Sequence, residues 1–308
     1  MTSPSLPFVS VIVPVFNDAE HLRYCLKALE HQTYPASYEV IVVDNGSDPE
    51  QGIADVVAEF NQARVITERQ PGSYAARNRG IAAAKGTVLA FTDADCIPAP
   101  DWVESGVQAL LHAADCGFVA GKVEVFFRDP EHPTAVELYE SLWYPLPQQE
   151  FVEKHHFGAT ANVITFASVI QQVGGFDSSL KSNGDREWGQ RIYAAGYRPI
   201  FAEQVCVKHP ARYSLEQLHR RARRIIGGRY DFQQKKSASF WQRNSLYGFT
   251  LLQYLIAPVI MLGFNLFLDR RLKTLEQRLQ VSGVMFFVCF VYVTELIRLK
   301  FGADSYRG

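Results

Sequence analysis

An apolar run, Val88-Leu89-Ala90-Phe91, leads into Asp93-Ala94-Asp95, a pair of carboxylates one residue apart. Like charges at that spacing repel, and both stay ionised only beside a cation or a hydrogen-bond network. A hard divalent ion carrying a diphosphate meets that need, because Mg²⁺ takes one or two carboxylates and completes its shell with phosphate oxygens. A strand ending in such a pair suits the carboxyl edge of an open α/β sheet, where ligands bind. Alone, the pair is equally compatible with a solvated loop or a helix N-cap.

Three other stretches place polar side chains at strand or helix ends. Val13-Pro14-Val15-Phe16-Asn17-Asp18 closes the first apolar run. Phe16 and Asn17 are candidates to frame a nucleoside, against ordinary strand-end packing. Asp44 closes the run Glu39–Val43. It can accept from a pyrimidine N–H or a ribose hydroxyl, against a turn-forming Asp. Gly72-Ser73-Tyr74-Ala75-Ala76-Arg77-Asn78-Arg79-Gly80 opens a helix. Helix N-termini favour phosphate and Arg77 offers it a forked donor, against a surface Arg. Neither Gly-x-Gly-x-x-Gly nor a Gly-rich loop ending in Lys-Ser or Lys-Thr follows the first strand, which argues against a dinucleotide fold and a P-loop.

The elements that must hold these residues alternate. Val9–Val13, Glu39–Val43, Arg64–Thr67 and Thr87–Phe91 read as strands. Between them, Leu22, Cys25, Leu26 and Leu29, then Ile53, Val56, Val57 and Phe60, then Ser73–Ala84 mark helices. Trp102, Val103, Val107, Leu110 and Leu111 mark a fourth. This alternation predicts an α/β fold with a mostly parallel, nucleotide-binding sheet flanked by helices. Further on, strands are expected over 118–127, 161–166 and 199–207, with helices over 133–144 and 185–195, the last closed by Gly196.

Composition sets the outer limits. The 308 residues suit one large α/β domain with an appendage. The net charge of −1 provides no field for nucleic acid. Five scattered cysteines without a Cys-x-x-Cys pair exclude a disulfide framework and fit reduced thiols in the cytosol. No basic stretch followed by an apolar run opens the chain, so no cleaved leader is expected.

The last third changes character. Leu215, Leu218, Ala222, Ile225 and Ile226 form an apolar helix face, with Arg220, Arg221, Arg223 and Arg224 on the others. That pattern suits a membrane surface, against a plain solvated helix. No charged residue occurs from Asn244 to Leu268, enough to cross a bilayer core, and Pro258 is a possible kink. Leu279–Ile297 carries only Glu295. Arg270, Arg271, Lys273 and Arg278 lie between the two runs, while Lys235, Lys236 and Arg243 precede the first and Arg298 and Lys300 follow the second. Basic residues on every side leave the topology open.

As a set, Pro14–Asp18, Asp44–Asp48, Arg77-Asn78-x-Gly80 and Asp93-x-Asp95 resemble family-2 glycosyltransferases of the GT-A fold, over about residues 8–210. The resemblance implies that Pro14, Phe16, Asn17 and Asp44 line the nucleoside and that Arg77 lies near the nucleotide. It implies that Asp93 meets the ribose and metal, and that Asp95 is the more direct ligand of Mg²⁺ or Mn²⁺. Downstream, Gly174-Gly175-Phe176-Asp177, then Asp185, Arg191 and Gly196-Tyr197, follow the same family's pattern. Asp185 matches its catalytic base. The preceding acid is Gly184 here, Trp188 stands for the usual Leu, and Glu187 is a reserve base. His209 is a candidate metal or diphosphate contact, against a structural His. Trp143, Tyr144 and Trp188 are candidates to stack on a sugar, against core packing.

The implied activity is a metal-dependent, inverting transfer of a sugar from a nucleoside-diphosphate sugar to a hydroxyl of a glycan, lipid or small-molecule acceptor near a membrane. The implied domains are a GT-A domain over 1–210, a basic interfacial segment over 211–243 and a hydrophobic region of one or two helices over 244–308. The catalytic part would be cytoplasmic. The alternatives are a sugar nucleotidyltransferase, which usually carries a Gly-rich loop and a Lys after its first strand, and a membrane-tethered scaffold with a degenerate site. Gly184 is the scaffold's only support.

Overall fold

The computed structural model describes residues 6–236, 239–267 and 269–306. The side chains of Lys235, Lys236 and Arg243, and all of Leu268, lie outside what it describes. β1 (Val9–Val15), α1 (Ala19–Glu30), β2 (Tyr38–Asp44), α2 (Ile53–Ala58), β3 (Ala63–Thr67), α3 (Ser73–Ala83) and β4 (Val88–Thr92) alternate as the apolar periodicity predicts. There follow β5 (Ile97–Pro98), α4 (Trp102–His112), β6 (Cys116–Phe126), α5 (Ala135–Trp143), α6 (Gln148–His155) and β7 (Asn162–Phe166). Then come α7 (Ala167–Val173), α8 (Gly184–Ala194), β8 (Arg198–Pro210), α9 (Leu215–Lys236), α10 (Phe240–Phe267) and α11 (Leu275–Lys300).

The strands form one mixed sheet in the order β3-β2-β1-β4-β7-β6-β8-β5. The pairs β1–β2, β1–β4 and β2–β3 are parallel. The pairs β4–β7, β6–β7 and β5–β8 are antiparallel. The mostly parallel sheet expected from the sequence is thus parallel over β1 to β4 and antiparallel beyond β4. A parallel neighbour needs a crossover back to the same starting edge, and β7 instead meets β4 from the opposite direction. Pro14 lies inside β1, paired with Val43, rather than ending the strand. Val9, Val11, Val13 and Val15 alternate into one core with Leu22, Leu26, Val40 and Val42. The other face of the sheet packs Phe91, Phe118, Phe176 and Trp188 ring against ring.

Two units make up the chain. The sheet unit comprises residues 1–125, 146–179 and 184–210, and the helical unit 126–145, 180–183 and 211–308. Sequence alone assigned 126–145 to the first domain. The structure groups it with the helices because Val136 and Tyr139 of α5 share a core with Leu218, Ala222 and Ile226 of α9 and Val288 and Tyr292 of α11.

This core also corrects the picture of α9 as an interfacial helix. Leu218, Ala222 and Ile226 of its apolar face are buried in the core shared with α11, while Leu215 stays exposed. Arg221 and Arg212 pair with buried Glu140, and Arg223 with Glu295. The α10 and α11 pair is different. Asn244–Leu266 (23 residues) and Leu275–Lys300 (26 residues) are long and apolar enough to cross a membrane. Lys300 bonds Asn244 at one end and Asn265 bonds Ser282 near the other, so the two run antiparallel. Pro258 does not break α10, which runs unbroken through it.

Candidate active site

The carboxyl ends of β1, β2 and β4 share one edge because the three strands are parallel, and each delivers a predicted residue there. Asp93 follows β4 directly, and a turn closed by Cys96 N–H to the Asp93 carbonyl at 3.0 Å swings Asp95 outward. Two residues later β5 pairs antiparallel with β8, Ile97 opposite Lys208. That register carries His209 to the Asp95–Cys96 turn. His209 Nε2 lies 3.6 Å from Asp95 Oδ2. Its Nδ1 lies 2.9 Å from the Pro210 carbonyl, which can only accept. Nδ1 must therefore carry a proton, and in the neutral ring Nε2 turns its lone pair toward Asp95. A cation between them, or a proton on Nε2, satisfies both groups.

The donor set fits a divalent ion of the Mg²⁺ or Mn²⁺ type, with oxygen and imidazole ligands. Asp95, Cys96 and His209 offer ligand atoms within 4.8 Å of one another. Cys96 is the poor member. Burial, then the charges of Asp95 and Asp93, raise its thiol well above the ordinary range, so it stays protonated.

Arg77 is no surface residue. It is 4% exposed, and its Nη2 donates to Asp93 Oδ1 at 2.5 Å. Burial opposes its charge, but Asp93 and then Asp185 outweigh burial and raise its pKa. Its Nε is buried without a hydrogen-bond partner. A buried donor left unpaired is costly, and a bound ligand is one way to satisfy it. Asn78, next along α3, grips the backbone of Phe176 through both amide atoms, at 2.8 and 2.9 Å. A Cβ on Gly175 would lie 2.4 Å from Asn78 Oδ1, and Gly174 sits at φ +85°, which together account for the paired glycines before Phe176.

The residues expected to frame a nucleoside hold their loops in place through hydrogen bonds. Asn17 sits at φ +52° and exchanges two hydrogen bonds with Asp48, at 2.8 and 2.7 Å. Asp44 accepts the Ser47 N–H at 2.9 Å in an Asx-type turn. These two knit the β1 and β2 loops together. Phe16 is exposed at the rim, and Pro14 is held in the strand. Asn45, which sequence reasoning passed over, bonds the Glu68 and Gln70 carbonyls and the Gly72 N–H and fixes the start of α3.

Asp185 is the second residue of α8, and Thr160 Oγ1 donates to its Oδ1 at 2.7 Å. Glu187 forms a two-pronged pair with Arg191, both contacts 2.9 Å, which leaves it poorly suited as a reserve base. Trp188 is a core ring and not a sugar platform. Tyr144 bonds Tyr292, and Trp143 packs on Phe264, both within the helical unit. Gly184 has a local cause. A Cβ there would meet the Tyr74 ring at 2.5 Å, and the Tyr74 hydroxyl accepts the Gly184 N–H at 2.9 Å. The departure from the family pattern is thus filled by a neighbouring side chain, which removes the one support for a degenerate site.

A parallel half-sheet with acidic residues at its carboxyl edge and a second carboxylate on a later helix is a nucleotide-sugar transferase architecture. The family model described as glycosyl transferase family 2 matches residues 10–174. The glycosyltransferase AglE of Haloferax volcanii is 43% identical over 218 residues, 69% of this chain and 69% of that one. The pre-mycofactocin glycosyltransferase of Mycobacterium tuberculosis is 32% identical over 223 residues, 70% of this chain but only 45% of that one. The solved mannosyltransferase PcManGT of Pyrobaculum calidifontis, in complex with GDP-Man and Mn²⁺, superposes with a TM-score of 0.63 at 19% identity, over 96% of this chain and 89% of that one. The chain belongs to glycosyl transferase family 2 and has the GT-A fold. It is a glycosyltransferase.

Proposed function

We propose that the chain transfers a sugar, with inversion and metal dependence, from a nucleoside-diphosphate sugar to the hydroxyl of a membrane-proximal acceptor. The observation that carries this reading is Arg77, a buried guanidinium with an unpaired Nε that couples to both Asp93 and Asp185. One site then holds the donor-side carboxylate and the base.

Asp185 takes the acceptor's hydroxyl proton as the new bond from that oxygen to the anomeric carbon forms. The bond from the anomeric carbon to the diphosphate oxygen breaks on the opposite face, and its electron pair leaves with the nucleoside diphosphate. In-line attack of this kind inverts the carbon. Arg77 offers its Nε to the leaving anion while its Nη2 holds Asp93 in place. Asp95, with Asp93 and His209, would hold Mg²⁺ or Mn²⁺, which supplies Lewis-acid charge to the diphosphate. The β1 and β2 loops, with Phe16, Asn17 and Asp44, would frame the nucleoside. The GDP-Man and Mn²⁺ of the similar mannosyltransferase make a guanosine diphosphate sugar and Mn²⁺ the first pair to try.

We assign catalysis to the sheet unit, residues 1–125, 146–179 and 184–210, a connecting role beside the membrane to 211–243 and membrane attachment to 244–308, with the catalytic side cytoplasmic. The outward faces of α10 and α11 support attachment. Phe249, Val259, Ile260 and Phe290 are each more than 60% exposed, while Thr250, Asn265 and Ser282 are buried. Apolar outside and polar inside is what a lipid solvent favours.

The test is a thermal-shift panel of nucleoside diphosphates and nucleotide sugars, with and without Mn²⁺, run beside Asp95→Asn. A metal-dependent rise in Tm with one nucleotide, lost in the variant, is the expected result. No shift with any nucleotide, in protein shown to be folded, overturns the reading.

A further inference from the structure

We propose that Thr160 is a positioning residue for Asp185, and that Gln148 acts through it by fixing the loop on which Thr160 stands. The inference rests on the reading of Asp185 as the base and goes beyond it by naming what aims that base.

Thr160 is 2% exposed, and its hydroxyl reaches a carboxylate 25 residues away in sequence. The loop that presents it is a tight turn, closed by Asn162 N–H to the Ala159 carbonyl at 3.1 Å. Gln148, on α6 and also 2% exposed, spends its whole amide on this turn. Its Nε2 donates to the carbonyls of Ala159 and Asn162 at 3.0 and 3.2 Å, and its Oε1 accepts the Ala159 N–H at 2.8 Å. Asn162 anchors the far side. Its Nδ2 donates to the Lys122 and Val205 carbonyls, both at 2.8 Å, and its Oδ1 accepts Trp102 Nε1 at 2.8 Å. Four elements thus converge on a single turn: α4, α6, β6 and β8.

The chemistry explains why a hydroxyl stands at the end of this scaffold. Asp185 sits at the start of α8, where a carboxylate has several rotamers. A base delivers its rate advantage only when its lone pair points at the proton it removes. A neutral hydroxyl fixes the carboxylate with one hydrogen bond. Threonine is the stiffer of the two hydroxyl residues, because its branched Cβ restricts χ1. One carboxylate oxygen held in this way sets the direction of the other.

The test uses the full chain in detergent and three variants: Asp185→Asn, Thr160→Val and Thr160→Ser. Turnover is read as nucleoside diphosphate released from whichever nucleotide sugar the thermal-shift panel selects, with Mn²⁺ present and water as acceptor. Thr160→Val keeps the shape and removes the donor. It is expected to lower kcat by about 10- to 100-fold, the usual effect of losing a hydrogen bond to a charged group. The KM for the nucleotide sugar should stay within about twofold, since the donor site is untouched. Thr160→Ser restores the hydroxyl and should recover most of kcat. If Thr160→Val does not fold, Gln148→Glu takes its place, and it too should lower kcat with KM unchanged. A parental kcat in Thr160→Val beside an inactive Asp185→Asn overturns the positioning role and leaves the base standing. An active Asp185→Asn overturns both. A Thr160→Ser as impaired as Thr160→Val, or a KM that moves with kcat, marks a merely structural threonine and also overturns the inference.

Discussion

In the sheet unit, β1 sends Val9, Val11, Val13 and Val15 into the core, and charges stay near the surface or in pairs. In the helical unit, α10 and α11 turn Phe249, Val259, Ile260 and Phe290 outward and keep Thr250, Asn265, Ser282 and Glu295 inside. One rule, that side chains go where their solvent suits them, accounts for both units when the solvent of the hairpin is the lipid proposed above. Among the described residues of the sheet unit, Arg77 is the buried cation, 4% exposed and paired with Asp93. The proposed lipid-facing hairpin holds its two helices together through small polar contacts such as Asn265 to Ser282.

The sharpest way to break this comparison is to charge the outward face of the hairpin. Leu255 and Val259 are both exposed on α10, near the middle of its apolar run. A lysine at the centre of a membrane helix costs about 2.5–3.5 kcal/mol. Leu255→Lys with Val259→Lys should therefore weaken insertion by roughly 5–7 kcal/mol and move the protein out of the membrane fraction on flotation. The nucleotide-dependent thermal shift of the sheet unit should persist. If the face meets water, the same exposed lysines cost almost nothing. Continued flotation or an unchanged soluble fraction would then count against the lipid reading.

The second break is aimed at the sheet unit's buried cation. Arg77→Met keeps the volume and strands Asp93 without its partner. Removing one member of a buried pair usually costs 3–5 kcal/mol. Asp93 is one-third exposed, and water offsets part of that cost. The expected loss is about 3 kcal/mol, or roughly 6–12 °C in Tm for a unit of this size, together with loss of the nucleotide shift. A variant that melts as the parent does and still binds nucleotide would deny Arg77 both roles.

What the sequence disclosed follows from distance along the chain. The four parallel strands were legible because each is a short apolar run with its own turn, and Asp44 and Asp93 were legible because parallel strands end on one edge. The hairpin helices were legible from length and hydropathy. Contacts between distant residues were not. His209 meets Asp95 only through the register of β5, a two-residue strand that no periodicity marks. Thr160 reaches Asp185, and Tyr74 reaches Gly184, across packing that composition does not encode. α5 joined the helical unit because of which apolar face it matched, not where it lies in the chain. One signal was available in retrospect. Gly184, in place of an acid, coincides with a bulky Tyr74 early in α3, and the two fill the same space.

That coincidence gives the finest test of how tightly the sheet unit is packed around Asp185. Gly184→Ala would gain up to about 1 kcal/mol of helix propensity if the site were open. It is not open. The new Cβ would fall 2.5–2.9 Å from three atoms of the Tyr74 ring. That ring is buried and stacks on Phe176 at 5.9 Å, and its hydroxyl accepts the Gly184 N–H, so it has no cheap way to move. Overpacking of this kind costs about 1–3 kcal/mol. The single change should therefore destabilise, and it should lower turnover more than nucleotide affinity because Asp185 is the next residue. Tyr74→Ala opens the space at its own cost, and Gly184→Ala added to it should then be nearly neutral. The cycle is expected to show a coupling of about 1–3 kcal/mol by chemical denaturation. Additive losses would mean that the ring yields, and that Gly184 stands beside the base for some reason other than Tyr74.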